Sequence, residues 1–187
     1  MNYQKLVCWG DSQTFGARSY GCYPLYLVKT LNERTRYRWQ TLNFSDNGHT
    51  ARDLWFRLSK ELPLTHDCHQ ACILIGTNDV GNATPLDLFE EYYRQTLTAL
   101  QMHGFKVVYC GEIPPIWADG HAFFARETSD TRQQYNACIT RLIDQSSIAR
   151  QVKFPDLSSD CYTDPVHFNE TGNRVVAECF AHEIENY

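Results

Sequence analysis

Short apolar runs alternating with longer amphipathic segments constrain this chain more than any other feature. Lys5–Trp9 (KLVCW) predicts a buried strand, and Pro24–Arg34 a helix with Leu27, Val28 and Leu31 on one face. Tyr37–Phe44 alternates and predicts a second strand, placed at a sheet edge. Thr50-Ala-Arg-Asp53 has the form of a capping box and opens a helix striped by Leu54, Trp55, Leu58 and Leu62. Ala71–Ile75 (ACILI) predicts the third strand. Thr84-Pro85 then predicts the cap and first position of a helix whose inner face is Leu88, Phe89, Tyr92, Thr96 and Leu100. Lys106–Cys110, a helix over Ser129–Gln145, a weak strand over Gln151–Phe154 and a helix capped by Asn169 complete the pattern.

Five β-α repeats imply a parallel sheet covered by helices on both faces. In such a sheet ligands bind beyond the carboxyl ends of the strands. The 187 residues fit one domain spanning 1–187, with no repeat, linker or low-complexity tract. The longest irregular stretch, Gly111–Thr128, is long enough to serve function rather than connection.

Composition excludes several classes. With 43% hydrophobic residues the chain can fill a core, so general disorder is excluded. A net charge of −5 without a basic stripe excludes a general nucleic-acid binder. No segment approaches the roughly 18 apolar residues of a membrane span, so no stable membrane insertion is expected. The apolar run at the N-terminus is too short for the core of a signal peptide. A soluble cytoplasmic protein is therefore the expectation. The eight cysteines are expected as free thiols, since Cys8, Cys72 and Cys110 fall in apolar strand-like runs.

Three polar clusters fall after predicted strand ends: Gly10-Asp11-Ser12 follows the first strand, Gly76-Thr77-Asn78-Asp79 the third, and Asp164-Pro165-Val166-His167 precedes the last helix. A serine hydroxyl is a poor nucleophile unless a base lies within hydrogen-bond reach and a third group orients that base. Asp164 and His167 stand three apart across a proline-stiffened turn, which can set a carboxylate beside an imidazole. Acyl transfer also needs donors for an oxyanion, and the backbone N–H groups of Ser12 and Gly48 and the amide of Asn78 are the candidates. Gly-x-Ser-x-Gly is absent, which disfavours the α/β-hydrolase fold. Taken singly, each cluster also reads as a turn or a cap contact, and Asp11 reads as a brace for the Ser12 loop rather than a reacting acid.

Four of these blocks carry a family resemblance. GDSQTFG (Gly10–Gly16), NGHT (Asn47–Thr50), GTND (Gly76–Asp79) and DPVHFN (Asp164–Asn169) resemble, in order, the conserved blocks of the SGNH (GDSL-type) hydrolases. The resemblance implies a flavodoxin-like three-layer α/β/α sandwich with a five-stranded parallel sheet. It implies Ser12 as nucleophile, Asp164 and His167 as its partners, and Ser12, Gly48 and Asn78 as the oxyanion hole. No cofactor and no metal are implied. Gln13, Asn47 and Phe168 depart from residues common in the family, and these departures bear on substrate rather than on reaction class.

Two other motifs compete with this assignment. His66, Cys68, His69 and Cys72 have the look of a zinc cluster, but Cys72 falls inside a strand. Ser12–Gly16 also resembles a phosphate loop but lacks the density of Gly, Ser and Thr that cradles phosphate, and no nucleotide fingerprint is present. Gln13, Trp117, Phe123 and Phe124 are candidate substrate contacts, and Arg18, near Ser12 in sequence, reads either as a further contact or, more often for such a residue, as a surface charge. The expected function is hydrolysis of a small-molecule carboxylic ester, with short acyl or acetyl esters, acetylated sugars and lysolipids all suited to the chemistry. The alternatives are an acyltransferase using the same serine and a non-catalytic flavodoxin-like binding module.

Overall fold

The computed structural model describes residues 2–117 and 128–187. Its five strands are β1 (Tyr3–Gly10), β2 (Arg38–Ser45), β3 (Gln70–Leu74), β4 (Val107–Gly111) and β5 (Ala149–Val152). All pair in parallel, in the order β2-β1-β3-β4-β5. The chain steps from β1 to β2 on one side and then returns across β1 to β3. Connections leaving β1 and β3 therefore diverge and open a crevice at their carboxyl ends, the position this topology reserves for ligands.

Alternation along the strands splits the core between two faces. Val7, Trp9, Ala71, Ile73, Val108 and Cys110 face one side. There they meet α3 (Ala51–Glu61), α5 (Leu86–His103) and α6 (Thr128–Asp144) through Leu54, Phe89 and Ile139. Leu6, Cys8, Cys72, Leu74, Val107 and Tyr109 face the other. They pack on α2 (Tyr23–Arg34) and α7 (Glu170–Glu185) through Leu27, Leu31, Val176 and Phe180. The Phe180 ring stacks on Tyr23 with centroids 4.9 Å apart. The result is the three-layer α/β/α sandwich expected from the β-α alternation, with β2 at an edge.

Local signals hold at two helix starts. Thr50 accepts from the Asp53 N–H at 3.3 Å while Asp53 accepts from the Thr50 N–H at 2.9 Å, closing the capping box. Asn169 accepts from the Gly172 N–H at 3.1 Å and caps α7.

The structure corrects other local expectations. Pro85, not Thr84, is the N-cap of α5. Thr84 instead donates its N–H to Asp79 O at 2.9 Å and takes the Tyr135 hydroxyl on its carbonyl, so tertiary contacts outrank the capping preference. The inner face of α5 is Phe89, Tyr93, Thr96, Leu97 and Leu100, while Leu88 is exposed and Tyr92 half-buried. Phe89, Thr96 and Leu100 are common to both faces, and Tyr93 and Leu97 stand in for Leu88 and Tyr92, so the face is turned by roughly half a residue step. The fifth strand begins two residues earlier than Gln151. Cys68 packs into the core on one side of the sheet and Cys72 into the core on the other, so the His66–Cys72 segment does not converge. Among the described residues no group of three or more His, Cys, Asp or Glu side chains is placed to hold a metal ion, and no helix is long and apolar enough to cross a membrane.

Candidate active site

β1 ends at Gly10 with no room for a side chain. A Cβ there would stand 1.9 Å from Thr14 Oγ1 and 2.4 Å from Leu74 O. That close approach lets the chain turn at once into a single helical turn, α1 (Ser12–Phe15). Asp11 caps it by accepting the Gln13 N–H at 2.9 Å, the bracing role expected of it. Ser12 is the first helical residue, so its N–H has no partner within the helix.

Asp164 and His167 come from the turn before α7. One carboxylate oxygen, Oδ1, accepts the N–H groups of Val166 at 2.9 Å and His167 at 2.8 Å. The other, Oδ2, lies 2.8 Å from His167 Nδ1. His167 Nε2 in turn lies 3.1 Å from Ser12 Oγ. Burial raises the Asp164 carboxyl, but the His167 N–H, the imidazole and the Val166 N–H outweigh it and hold it below the ordinary carboxylate range. Asp164 is thus an ionised acceptor beside the imidazole.

The GTND segment is a short helix rather than a turn, α4 (Thr77–Asn82). Asn78 donates its amide to His49 O at 2.9 Å, and Asp79 accepts the Ala51 N–H at 2.9 Å. These bonds tie α4 to the loop carrying Gly48, whose φ of 78° is the left-handed conformation that favours glycine. Asp46 N–H reaches Gly10 O at 3.3 Å and closes the loop onto the end of β1. Ser12, His167, Gly48 and Asn78 accordingly line one cavity of ≈ 500 Å³, together with Phe15 and Arg18.

Two of the other expected contacts, Gln13 and Trp117, lie away from the cavity lining. Gln13 is 2% exposed and does not line the cavity. Its amide donates to Val166 O and its oxygen accepts the Phe168 N–H at 3.3 Å, clamping α1 to the loop that carries His167. Trp117 is half-buried behind that loop, donating its backbone N–H to Pro165 O at 2.7 Å and packing on Tyr162. Phe123 and Phe124 lie outside the described residues. Sequence reasoning overlooked Arg57, which donates to Gly10 O at 2.7 Å and approaches Glu61 at 3.5 Å. The i,i+4 spacing of that pair was its only sequence signal. It also passed over the contact of Arg18 Nε with Asp164 Oδ2 at 3.1 Å.

Two buried carboxyls lie behind the site. Burial is the main cause that pushes Asp11 up to about 7, with the Asp79 charge adding to it, and burial pushes Asp79 up to about 6. Each group therefore holds a proton in the folded chain that the unfolded chain releases near 3.8. The stability linked to those protons is complete below that ordinary value and lost as pH rises through the folded values. Asp11→Asn removes one titration. The fall in Tm between about pH 5 and about pH 8 should then be smaller in the variant than in the wild type. Equal falls, measured by calorimetry, would remove Asp11 from the account.

Comparison with known proteins gives the family and the fold. The model of the GDSL-like Lipase/Acylhydrolase family matches residues 8–175. Among solved structures, the lipase/acylhydrolase from Enterococcus faecalis is 18% identical and superposes with a TM-score of 0.80 over 98% of this chain and 96% of its own. The acetylxylan esterase Axe2 from Geobacillus stearothermophilus is 20% identical, with a TM-score of 0.78 over 97% of this chain and 94% of its own. The esterase EstA from Pseudoalteromonas is 15% identical, with a TM-score of 0.78 over 98% and 97%. A search of curated proteins finds no sequence match. Matched over nearly its whole length and folded as these hydrolases are, the chain belongs to the GDSL-like lipase/acylhydrolase family, whose members act on ester bonds.

Proposed function

We propose that the protein hydrolyses carboxylic esters through an acyl-enzyme on Ser12. The observation that carries this reading is the continuous contact from Ser12 Oγ through His167 to Asp164, at 3.1 Å and 2.8 Å. Ser12 Oγ attacks the ester carbonyl as its proton passes to His167 Nε2. The oxyanion accepts hydrogen bonds from the N–H groups of Ser12 and Gly48 and from the Asn78 amide. The C–O bond to the alcohol then breaks, and His167 returns the proton to the departing oxygen. Water, deprotonated by the same imidazole, releases the acid and restores Ser12. Gln13 takes no part as a substrate contact; it fixes the distance between the loops of Ser12 and His167.

Short acyl groups, acetyl above all, are the proposed substrates. The cavity is modest in volume, and Phe15, Ala17 and Val166 are the apolar residues of its lining. The name of Axe2 points the same way. Eight unpaired cysteines suit a reducing, cytoplasmic setting.

The test is reaction with a fluorophosphonate probe followed by intact mass, alongside hydrolysis of an aryl acetate. One adduct and turnover are expected; a folded protein that gives neither would overturn the reading. Asn78→Ala should lower kcat by roughly 10²–10³ with little change in KM, because an oxyanion donor acts on the transition state rather than the ground state. An unchanged kcat would take Asn78 out of the hole. His49 O, which Asn78 now holds, is the contact that a purely structural role would disturb, and thermal stability of the variant reads it separately.

A further inference from the structure

Arg18 sits in a backbone conformation that calls for an explanation. Ser19 N–H closes on Gly16 O at 3.2 Å, which puts Arg18 at the third position of a turn. Its φ is 60°, where glycine or asparagine is the ordinary occupant. Strain of this kind in a long-chain residue persists where the side chain is needed in one place. That place is the wall of the Ser12 cavity. Among the described residues the lining includes no Asp or Glu, and Arg18 is its one permanent charge, in a chain whose net charge is −5.

The guanidinium is held rather than free. Nε lies 3.1 Å from Asp164 Oδ2, the oxygen that also faces His167 Nδ1. This contact engages one of its five N–H donors. The side chain remains 68% exposed, so an ion pair alone would be worth little and would not account for the strain. A planar fork oriented by one carboxylate is suited to receive a second oxyanion. Its position also says which part of a substrate it would meet. Gly48 and Asn78 stand where the carbonyl oxygen develops charge. The alcohol must leave beside His167, which protonates it, and Arg18 belongs to the His167–Asp164 side.

We propose that Arg18 is a specificity residue that makes esters of anionic alcohols the preferred substrates, its guanidinium binding a carboxylate or phosphate carried a short spacer from the scissile oxygen. The inference rests on the serine mechanism proposed above. The acyl group stays small and neutral, and the negative charge lies on the leaving alcohol.

Three aryl acetates test it: para-acetoxyphenylacetate, its neutral carboxamide, and para-acetoxybenzylphosphonate. A methylene insulates each polar group from the phenol, so their intrinsic reactivities are close. The wild type should favour an anionic ester over the carboxamide by about tenfold in kcat/KM, and less as salt is raised. Arg18→Met should bring that ratio to about one, and Arg18→Lys should keep part of it. Using the ratio within each variant cancels whatever the loss of the Asp164 contact does to the triad. A larger preference for the phosphonate assigns a phosphorylated alcohol, and a larger one for the carboxylate assigns a hydroxy acid. Hydrolysis of all three without discrimination, or discrimination that survives Arg18→Met, would overturn the role of Arg18 alone. No hydrolysis and no fluorophosphonate adduct would overturn the serine mechanism, and this inference with it.

Discussion

Ser12→Ala should lower kcat toward an aryl acetate by about 10⁴–10⁶ and abolish the fluorophosphonate adduct, with the fold unchanged. The size follows from what is lost. Without Oγ there is no covalent intermediate, and His167 Nε2, now 3.1 Å from the atom it activates, has nothing to deprotonate but water. The oxyanion donors remain, so some rate above the uncatalysed one should persist. The packing consequence is small, because Ser12 is 5% exposed and alanine fills the same space less one oxygen. Thermal unfolding that matches the wild type, together with the lost rate, is the expected pair of results. Turnover within tenfold of the wild type would place the nucleophile elsewhere.

Asp164→Asn should cost about 10⁴ in kcat through the imidazole's tautomer. Asp164 Oδ2 can only accept from Nδ1, at 2.8 Å, which leaves Nε2 as the acceptor facing Ser12. An asparagine amide at that place can donate to Nδ1. The ring proton then moves to Nε2, where it blocks transfer from Ser12. The Val166 and His167 N–H groups still find a carbonyl oxygen in place of Oδ1, at 2.9 Å and 2.8 Å in the parent, so the turn keeps its shape. Rate should therefore fall while Tm changes little. A large loss of stability would instead identify Asp164 as a structural brace for the α7 loop.

The sheet and its helices were legible because burial writes itself into the chain with the period of the backbone. KLVCW and ACILI are continuous apolar runs, as strands covered on both faces must be. Asp53 and Asn169 act within one helical turn of the groups they bind, so the caps of α3 and α7 were legible too, whereas that of α5 was not. The setting of α5, by contrast, depends on which aromatic packs into a core assembled from distant strands and helices. Tyr92 and Tyr93 are adjacent and equally apolar, and nothing local distinguishes them.

The candidate site divides in the same way. Asp164 and His167 are three residues apart, so the sequence by itself determined their contact, and the four ordered blocks determined the family and the sheet edge where they meet. Only the tertiary structure decided that Ser12 lies 3.1 Å from His167, across 155 positions of chain. Only it turned Gln13 from the cavity to the base loop, and only it joined Arg18 to Asp164. The physical reason is one of range. Capping, turn preference and hydrophobic period act over a few residues, whereas a hydrogen bond between distant loops forms only after the sheet has fixed where each strand ends.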